Sequence, residues 1–336
     1  MISDKEFIVS SMLKNGILKN RNVKLKPLQG GVSSDIYLIT EGKNKYVVKK
    51  ARPKLKVKDD WYADTSRNVT EQRFMRYVRD FAPEAVPELY YFDPNHQFFV
   101  MEFLDESFKN WKQLLLDGQW ESRYAVSAAA LMATIHTHSR NDREAKKAFN
   151  TTSAFQSLRI EPYLLTTGGR HPELKAEFFK EARRLKNTCE ALVHGDFSPK
   201  NIMVCPDRLV LLDHEVAWYG DPAFDVAFFL NHLYLKMLFH HEKIGHLPDL
   251  SSVFWSVYFE KRGKKTMSEL EERIGRLLLM LMLARVDGKS PVEYLNEEMK
   301  EAVRSFVHKM LPGRVFHQAQ LNQQWKSKLN SLTVEN

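Results

Sequence analysis

A chain of 336 residues, 43% hydrophobic and 27% charged, is long enough for two cored domains and too apolar to be disordered. It contains no apolar run of about 18 residues, which excludes a spanning helix, and its two cysteines, Cys189 and Cys205, lack zinc-site spacing and suggest a reducing compartment. The net charge of +8 raises nucleic acid as a partner, but the basic run at 43–58 comes with no nucleic-acid fold motif and no interleaved aromatics, so none is expected.

The first residues, Met-Ile-Ser-Asp-Lys-Glu, show no basic segment leading into an apolar core, so no signal peptide, no membrane association and a cytoplasmic location are expected. Residues 4–19 have apolar positions at helical spacing, and 23–28 alternate as a strand. Gly30, Gly31, Ser33 and Ser34 then form a turn whose backbone N–H groups can face phosphates. It is no Walker A loop, because no Gly-Lys-Ser/Thr follows, and by itself it is also an ordinary hairpin. The strand Lys45–Ala51 carries Lys49 after two valines; alternation turns Lys49 inward and Lys50 outward. A polar loop with Trp61 leads to a helix at 66–80 with Glu71 near its middle, the candidate partner of Lys49. Strands are expected at 86–93 and 97–104, the second ending at Glu102, Phe103 and Leu104, where backbone groups can hold an adenine edge.

Beyond residue 105 the pattern becomes helical, which sets the expected domains at 1–104 and 105–336. Helices are expected at 108–116, 124–138, 172–192, 251–260, 268–285, 291–309 and 312–330, with an irregular polar stretch at 140–170. His136 and His138 stand two apart, a poor spacing for one metal on a helix, and are read as packing or surface residues.

The most informative stretch is 193–215: Val-His-Gly-Asp-Phe-Ser-Pro-Lys-Asn, a strand, a turn at Cys205–Arg208, then Leu-Val-Leu-Leu-Asp-His-Glu. Asp196 precedes Asn201 by five residues, and Asp213 precedes Glu215 by two. Phosphoryl transfer needs a carboxylate to receive a hydroxyl proton and oxygen ligands for Mg²⁺. An Asp-x-x-x-x-Asn loop followed by a metal-binding Asp supplies both, here with His-Gly-Asp in place of His-Arg-Asp. Further on, Asp221 and Asp225 precede and enter an apolar helix, as acceptors for backbone N–H groups at the helix start and near the loop.

Together His194-Gly195-Asp196, Asn201, Asp213-His214-Glu215 and Gly220-Asp221-Pro222-Ala223-Phe224-Asp225 resemble the aminoglycoside phosphotransferase and choline kinase superfamily over roughly residues 23–310. Within it, Val48 to Pro53, Trp61, Arg67, Glu71, the Asp213-x-Glu215 pair and Trp218-Tyr219-Gly220 are most similar to the methylthioribose kinases. Two positions depart from those kinases: Asn201, where they tend to carry a small hydroxyl residue, and Arg285, which lacks a second arginine beside it.

The resemblance implies an α+β, two-lobed protein-kinase-like fold, with a small antiparallel sheet lobe and a larger helical lobe. It implies an ATP- and Mg²⁺-dependent kinase of a small hydroxylated molecule, such as a methylthioribose-like sugar, an aminoglycoside or choline. Asp196 would be the catalytic base; Gly30, Gly31, Ser33, Ser34, Lys49, Glu71, Glu102, Phe103 and Leu104 would bind nucleotide; Asn201, Asp213 and Glu215 would bind metal. Trp61, Trp218 and Arg285 are the acceptor candidates, and a homodimer is left open. A protein kinase is disfavoured because His-Glu, not Phe-Gly, follows Asp213. A silent nucleotide-binding module would lack one of Lys49, Asp196, Asn201 or Asp213, and a basic nucleic-acid binder would show steeply salt-dependent affinity.

Overall fold

The structure, a computed structural model, describes residues 4–28, 34–52, 67–263, 267–313 and 316–334. Gly30, Gly31, Ser33 and Trp61 lie outside the described residues. The chain divides into two compact units, one of residues 1–108 and 210–215, the other of 109–209 and 216–336.

In the first unit α1 (Asp4–Lys14) precedes β1 (Lys24–Pro27), β2 (Ser34–Glu41) and β3 (Asn44–Ala51); α2 (Arg67–Arg79), β4 (Leu89–Asp93) and β5 (Phe98–Glu102) follow. The five strands form one antiparallel sheet in the order β1-β2-β3-β5-β4. Ile8 and Met12 of α1 are buried in one cluster with Ile39, Val48, Phe98 and Val100. Since strand side chains alternate, Val48 on that face puts Lys49 on the other, where Lys49 is only 5% exposed. There α2 buries Phe74, Met75 and Val78, and Glu71 with them. The strand expected at 86–93 begins only at Leu89, after a 3₁₀ turn at Pro83–Ala85.

The second unit opens with β6 (Lys109–Asn110), α3 (Trp111–Leu116) and α4 (Ser122–His138). The expectation of an irregular 140–170 is corrected: α5 (Arg143–Ala148), α6 (Thr152–Phe155), a π-helical segment (Gln156–Leu165) and α7 (Thr166–Arg170) fill it. Its polar residues hide the helical signal by serving as caps and bonds. Asp142 accepts from the N–H groups of Glu144 and Ala145, and Thr152 accepts from the Trp218 indole. Phe155, Leu158, Ile160, Tyr163 and Leu164 are buried, and the wide turn accommodates Pro162 inside the helix. Gly168 is required by packing, because a Cβ there would lie 2.7 Å from that of Phe178.

Then come α8 (Lys175–Asn187), β7 (Ala191–Val193), β8 (Ile202–Val204), β9 (Leu209–Leu211), within which the chain crosses to the first unit, and β10 (Trp218–Gly220). α8 stops short of the expected 192 because Leu192 belongs to β7, which pairs antiparallel with β10. The remainder is α9 (Ala223–Phe239), α10 (Leu250–Arg262), α11 (Met267–Asp287), α12 (Glu297–Met310) and α13 (Gln318–Val334). α12 starts six residues after the expected Pro291, where Asn296 caps the Met299 N–H at 2.9 Å. α9 is buried all round, as a mostly apolar helix without a polar stripe must be, and it packs on α11. No helix among the described residues is long and apolar enough to cross a membrane.

Candidate active site

In the first unit the Lys49 ammonium donates to Glu71 Oε1 at 2.9 Å and to Asp213 Oδ1 at 2.6 Å. The strand expected to point a lysine inward and the helix expected to carry its partner therefore meet. Burial alone would lower the Lys49 pKa, but the Asp213, Glu71 and Glu215 carboxylates outweigh it and raise it above the ordinary lysine value. Burial pushes the Glu71 carboxyl up to about 7 against the pull of Lys49; with the ammonium 2.8 Å from Glu71 Oε2, the geometry supports an ion pair. Glu215 meets Arg67 Nη1 at 3.2 Å, and Arg67 also donates to the Arg52 carbonyl at 2.9 Å.

The turn that presents these carboxylates is unusual. Asp213 has φ +65°, the left-handed region that costs a non-glycine residue free energy. The next residue, His214, is buried and stacks on Phe74 of α2, with ring centroids 4.6 Å apart. Ligand atoms of Glu71, Asp213 and Glu215 all lie within 4.8 Å of one another. This all-oxygen, anionic group suits a hard divalent cation such as Mg²⁺.

In the second unit the loop after β7 is shaped by its backbone. Gly195 has φ +76°, and a Cβ there would lie 2.7 Å from the Val216 carbonyl oxygen, so only glycine fits. The Asp225 carboxylate at the start of α9 accepts the N–H of His194 at 2.7 Å and of Gly195 at 2.9 Å. This is the backbone-anchoring part that the sequence suggested for it. His136 is buried against the same carboxylate at 3.4 Å and against the Tyr258 hydroxyl at 2.9 Å, so it is a packing residue; burial lowers its pKa. Asp221 caps α9 through the Ala223 N–H and pairs with Arg184 at 2.6 Å and Arg273 at 3.1 Å.

Asp196 follows with its side chain mostly covered. Asn201 Nδ2 donates to Asp196 Oδ2 at 2.8 Å and to its carbonyl at 3.0 Å. Arg159 Nη2 lies 3.2 Å from Asp196 Oδ2, and Arg159 Nε donates to the Gly195 carbonyl. Arg159 escaped the sequence reading. The only signal for it was an arginine between Leu158 and Ile160, in a stretch read as irregular.

The nucleotide and acceptor candidates fare unevenly. Ser34 is buried at the start of β2. Glu102 closes β5, its carboxylate accepting the Glu88 N–H at 3.1 Å, and the Phe103 ring lies under the Lys45 ammonium at 4.9 Å; Leu104 is half-buried. Trp218, expected near an acceptor, is fully buried, stacked on Phe155 at 4.2 Å with its indole N–H donated to Thr152, so its ring offers no open surface. Arg285 on α11 donates to Ser290 Oγ at 2.9 Å and to the Tyr163 hydroxyl at 3.4 Å.

Residues 24–241 match the model of the phosphotransferase enzyme family. Methylthioribose kinase 1 of Oryza sativa subsp. japonica is 25% identical over 239 residues, which cover 63% of this chain and 56% of that enzyme's own length. The chain thus spans little more than half of that relative. Among solved structures, the Plasmodium vivax ethanolamine kinase superposes with a TM-score of 0.58 at 13% identity, covering 93% of this chain and 91% of the other. An amicoumacin kinase in complex with AMP-PNP and Ca²⁺ superposes with a TM-score of 0.55 at 13% identity, covering 96% and 100%. The fold is protein-kinase-like: a five-stranded antiparallel sheet in the N-terminal part and a mostly helical remainder.

Proposed function

The chain belongs to the phosphotransferase enzyme family, and from that premise we propose that it is an ATP-dependent kinase transferring the γ-phosphoryl group to a hydroxyl of a small metabolite, with 5-methylthioribose the leading acceptor. The observation that carries this is the single ammonium of Lys49 bonded to both Glu71 and Asp213, residues 22 and 164 positions away. A kinase needs a phosphate-binding cation held by a helix glutamate next to a metal-binding aspartate.

In this reading residues 1–104 bind nucleotide and 105–336 carry the catalytic loop and the acceptor site, in a cytoplasmic enzyme. Lys49, oriented by Glu71, holds phosphate oxygens. Gly30, Gly31, Ser33 and Ser34 cover the phosphates, and backbone groups at Glu102, Phe103 and Leu104 hold the adenine edge. Asp213 and Glu215 would hold Mg²⁺, which when bound neutralises charge on the transferring phosphate. In the second unit, Asn201 donates its amide N–H groups to Asp196, which leaves its carbonyl oxygen for a cation. Asp196 orients the acceptor hydroxyl and takes its proton as the new P–O bond forms and the bond to the ADP oxygen breaks. Arg285 and Trp61 are the acceptor contacts that remain; Trp218, being buried, acts only through the Thr152 and Phe155 it packs against.

The test is ³¹P NMR of product from Mg²⁺-ATP offered with 5-methylthioribose, aminoglycosides, choline and homoserine in turn. A new phosphomonoester with 5-methylthioribose supports both the class and the acceptor. An ester with another member keeps the class and overturns the acceptor. No ester with any, together with no ATP binding by calorimetry, overturns the class.

A further inference from the structure

We propose that His171, Glu173 and His308 form a binding site for a divalent transition cation, Zn²⁺ by its chemistry, that ties the segment before α8 to α12. His171 Nδ1 lies 3.2 Å from His308 Nε2 and 3.5 Å from Glu173 Oε1, and His308 Nε2 lies 3.3 Å from the same Glu173 oxygen. Three donor atoms thus form a nearly equilateral triangle. Ligands about 2.0–2.1 Å from a tetrahedral Zn²⁺ stand about 3.3–3.4 Å from one another, so the spacing of the three donor atoms matches that of three ligands of one ion.

The surroundings orient the ligands. The other His171 nitrogen, Nε2, lies 3.0 Å from Asp287 Oδ2. A carboxylate there can only accept, so Nε2 carries the proton and Nδ1 turns its lone pair into the triangle. Asp287 is itself held by Arg304, with Nε to Oδ2 at 2.9 Å and Nη2 to Oδ1 at 2.8 Å. Arg304 stands four residues before His308 on α12, on the same helix face. The result is an arginine–carboxylate–histidine relay, the arrangement that fixes the tautomer of a metal-binding imidazole and raises its basicity.

The donor set selects the ion. Two imidazoles and one carboxylate suit Zn²⁺ and its transition-metal neighbours, whereas Mg²⁺ and Ca²⁺ prefer oxygen-only sets. The His171 side chain is 12% exposed and that of Glu173 52% exposed, so the ion would be held from inside and reached from solvent. A fourth ligand would be water. The competing account is that a single His308 proton is shared between His171 and Glu173 and nothing more is bound.

The test uses the full, untagged chain in millimolar Mg²⁺, which competes for oxygen-only sites, with Co²⁺ and then Zn²⁺ as probes. We expect one equivalent of Co²⁺ to give the visible absorption of a four-coordinate site, Zn²⁺ to displace it, and Zn²⁺ to raise the thermal midpoint. His308→Ala and Glu173→Gln should each abolish the band; Glu173 lies on an exposed turn, so its variant keeps the fold. Asp287→Asn should weaken Zn²⁺ by about 10–100-fold while leaving the band visible at higher Co²⁺. No Co²⁺ band in the wild type, or a band that survives both ligand substitutions, overturns the site.

Discussion

The Asp225 carboxylate, only 1% exposed, accepts the backbone N–H of Gly195 at 2.9 Å. It takes the neighbouring His194 N–H as well, so one buried side chain sets the path of the loop that ends at Asp196. Asp225→Asn keeps the shape but turns an amide NH₂ toward one of the two N–H donors. We expect an unfolding free energy lower by about 1–3 kcal/mol and a kcat reduced at least tenfold, with ATP affinity nearly unchanged. Equilibrium denaturation and steady-state kinetics measure both; an unaltered kcat would mean the loop does not depend on this anchor.

Lys49 bonds to two carboxylates at once, so Lys49→Met should weaken ATP binding by roughly 10–100-fold, the worth of a charge-assisted hydrogen bond of about 1.5–3 kcal/mol. Glu71→Gln leaves the Asp213 contact in place and should affect ATP affinity less. Calorimetric titration with ATP in Mg²⁺ distinguishes the two, and equal affinities across wild type and both variants would remove Lys49 from the nucleotide site.

Arg159 joins Asp196 to the Gly195 carbonyl through separate nitrogens of one guanidinium. Arg159→Ala should lower kcat by about 100-fold through misplacement of Asp196 while the ATP dissociation constant stays within twofold. Arg159→Lys should not restore the rate, because a lysine cannot fork between two acceptors. Rescue by lysine would reduce the arginine to a simple charge.

Lys236 is fully buried in α9 near Tyr294, with its ammonium 5.2 Å from that ring. Burial, with the charges of Lys112 and Arg285, lowers its pKa from 10.5 to about 7 against the pull of Glu293. Between those values the unfolded chain binds a proton that the folded chain does not, so stability rises with pH across that window and is lowest below about pH 7. Lys236→Met should raise the thermal midpoint at pH 7 and flatten its rise up to pH 9.5. An identical pH slope in wild type and variant would show that Lys236 stays protonated when buried.

How much of this could be read in advance depends on the distance over which each feature closes. Asp196 and Asn201 sit in one short loop, so their spacing is enough to place the two side chains in contact. Lys49 was readable because strand alternation leaves it one inward choice, and Glu71 because α2 follows that strand. Arg159 was not, since its bond to the loop closes over 36 residues from a segment whose threonines and asparagine imitate a coil. Trp218, expected near an acceptor through the resemblance, is buried instead, because its indole N–H finds Thr152 inside the fold and its ring stacks on Phe155. The cluster joins His171 and Glu173, two residues apart, to His308, 137 positions from His171, and that long closure leaves no pattern in the sequence.

The most direct test of the central claim compares wild type with Asp196→Asn, measuring Mg²⁺-dependent ADP formation with the accepted substrate and ATP binding by calorimetry on the same samples. The account predicts a kcat lower by at least about 100-fold, from loss of the proton acceptor, with the ATP dissociation constant within twofold of wild type. Turnover within a few-fold of wild type in Asp196→Asn would contradict it.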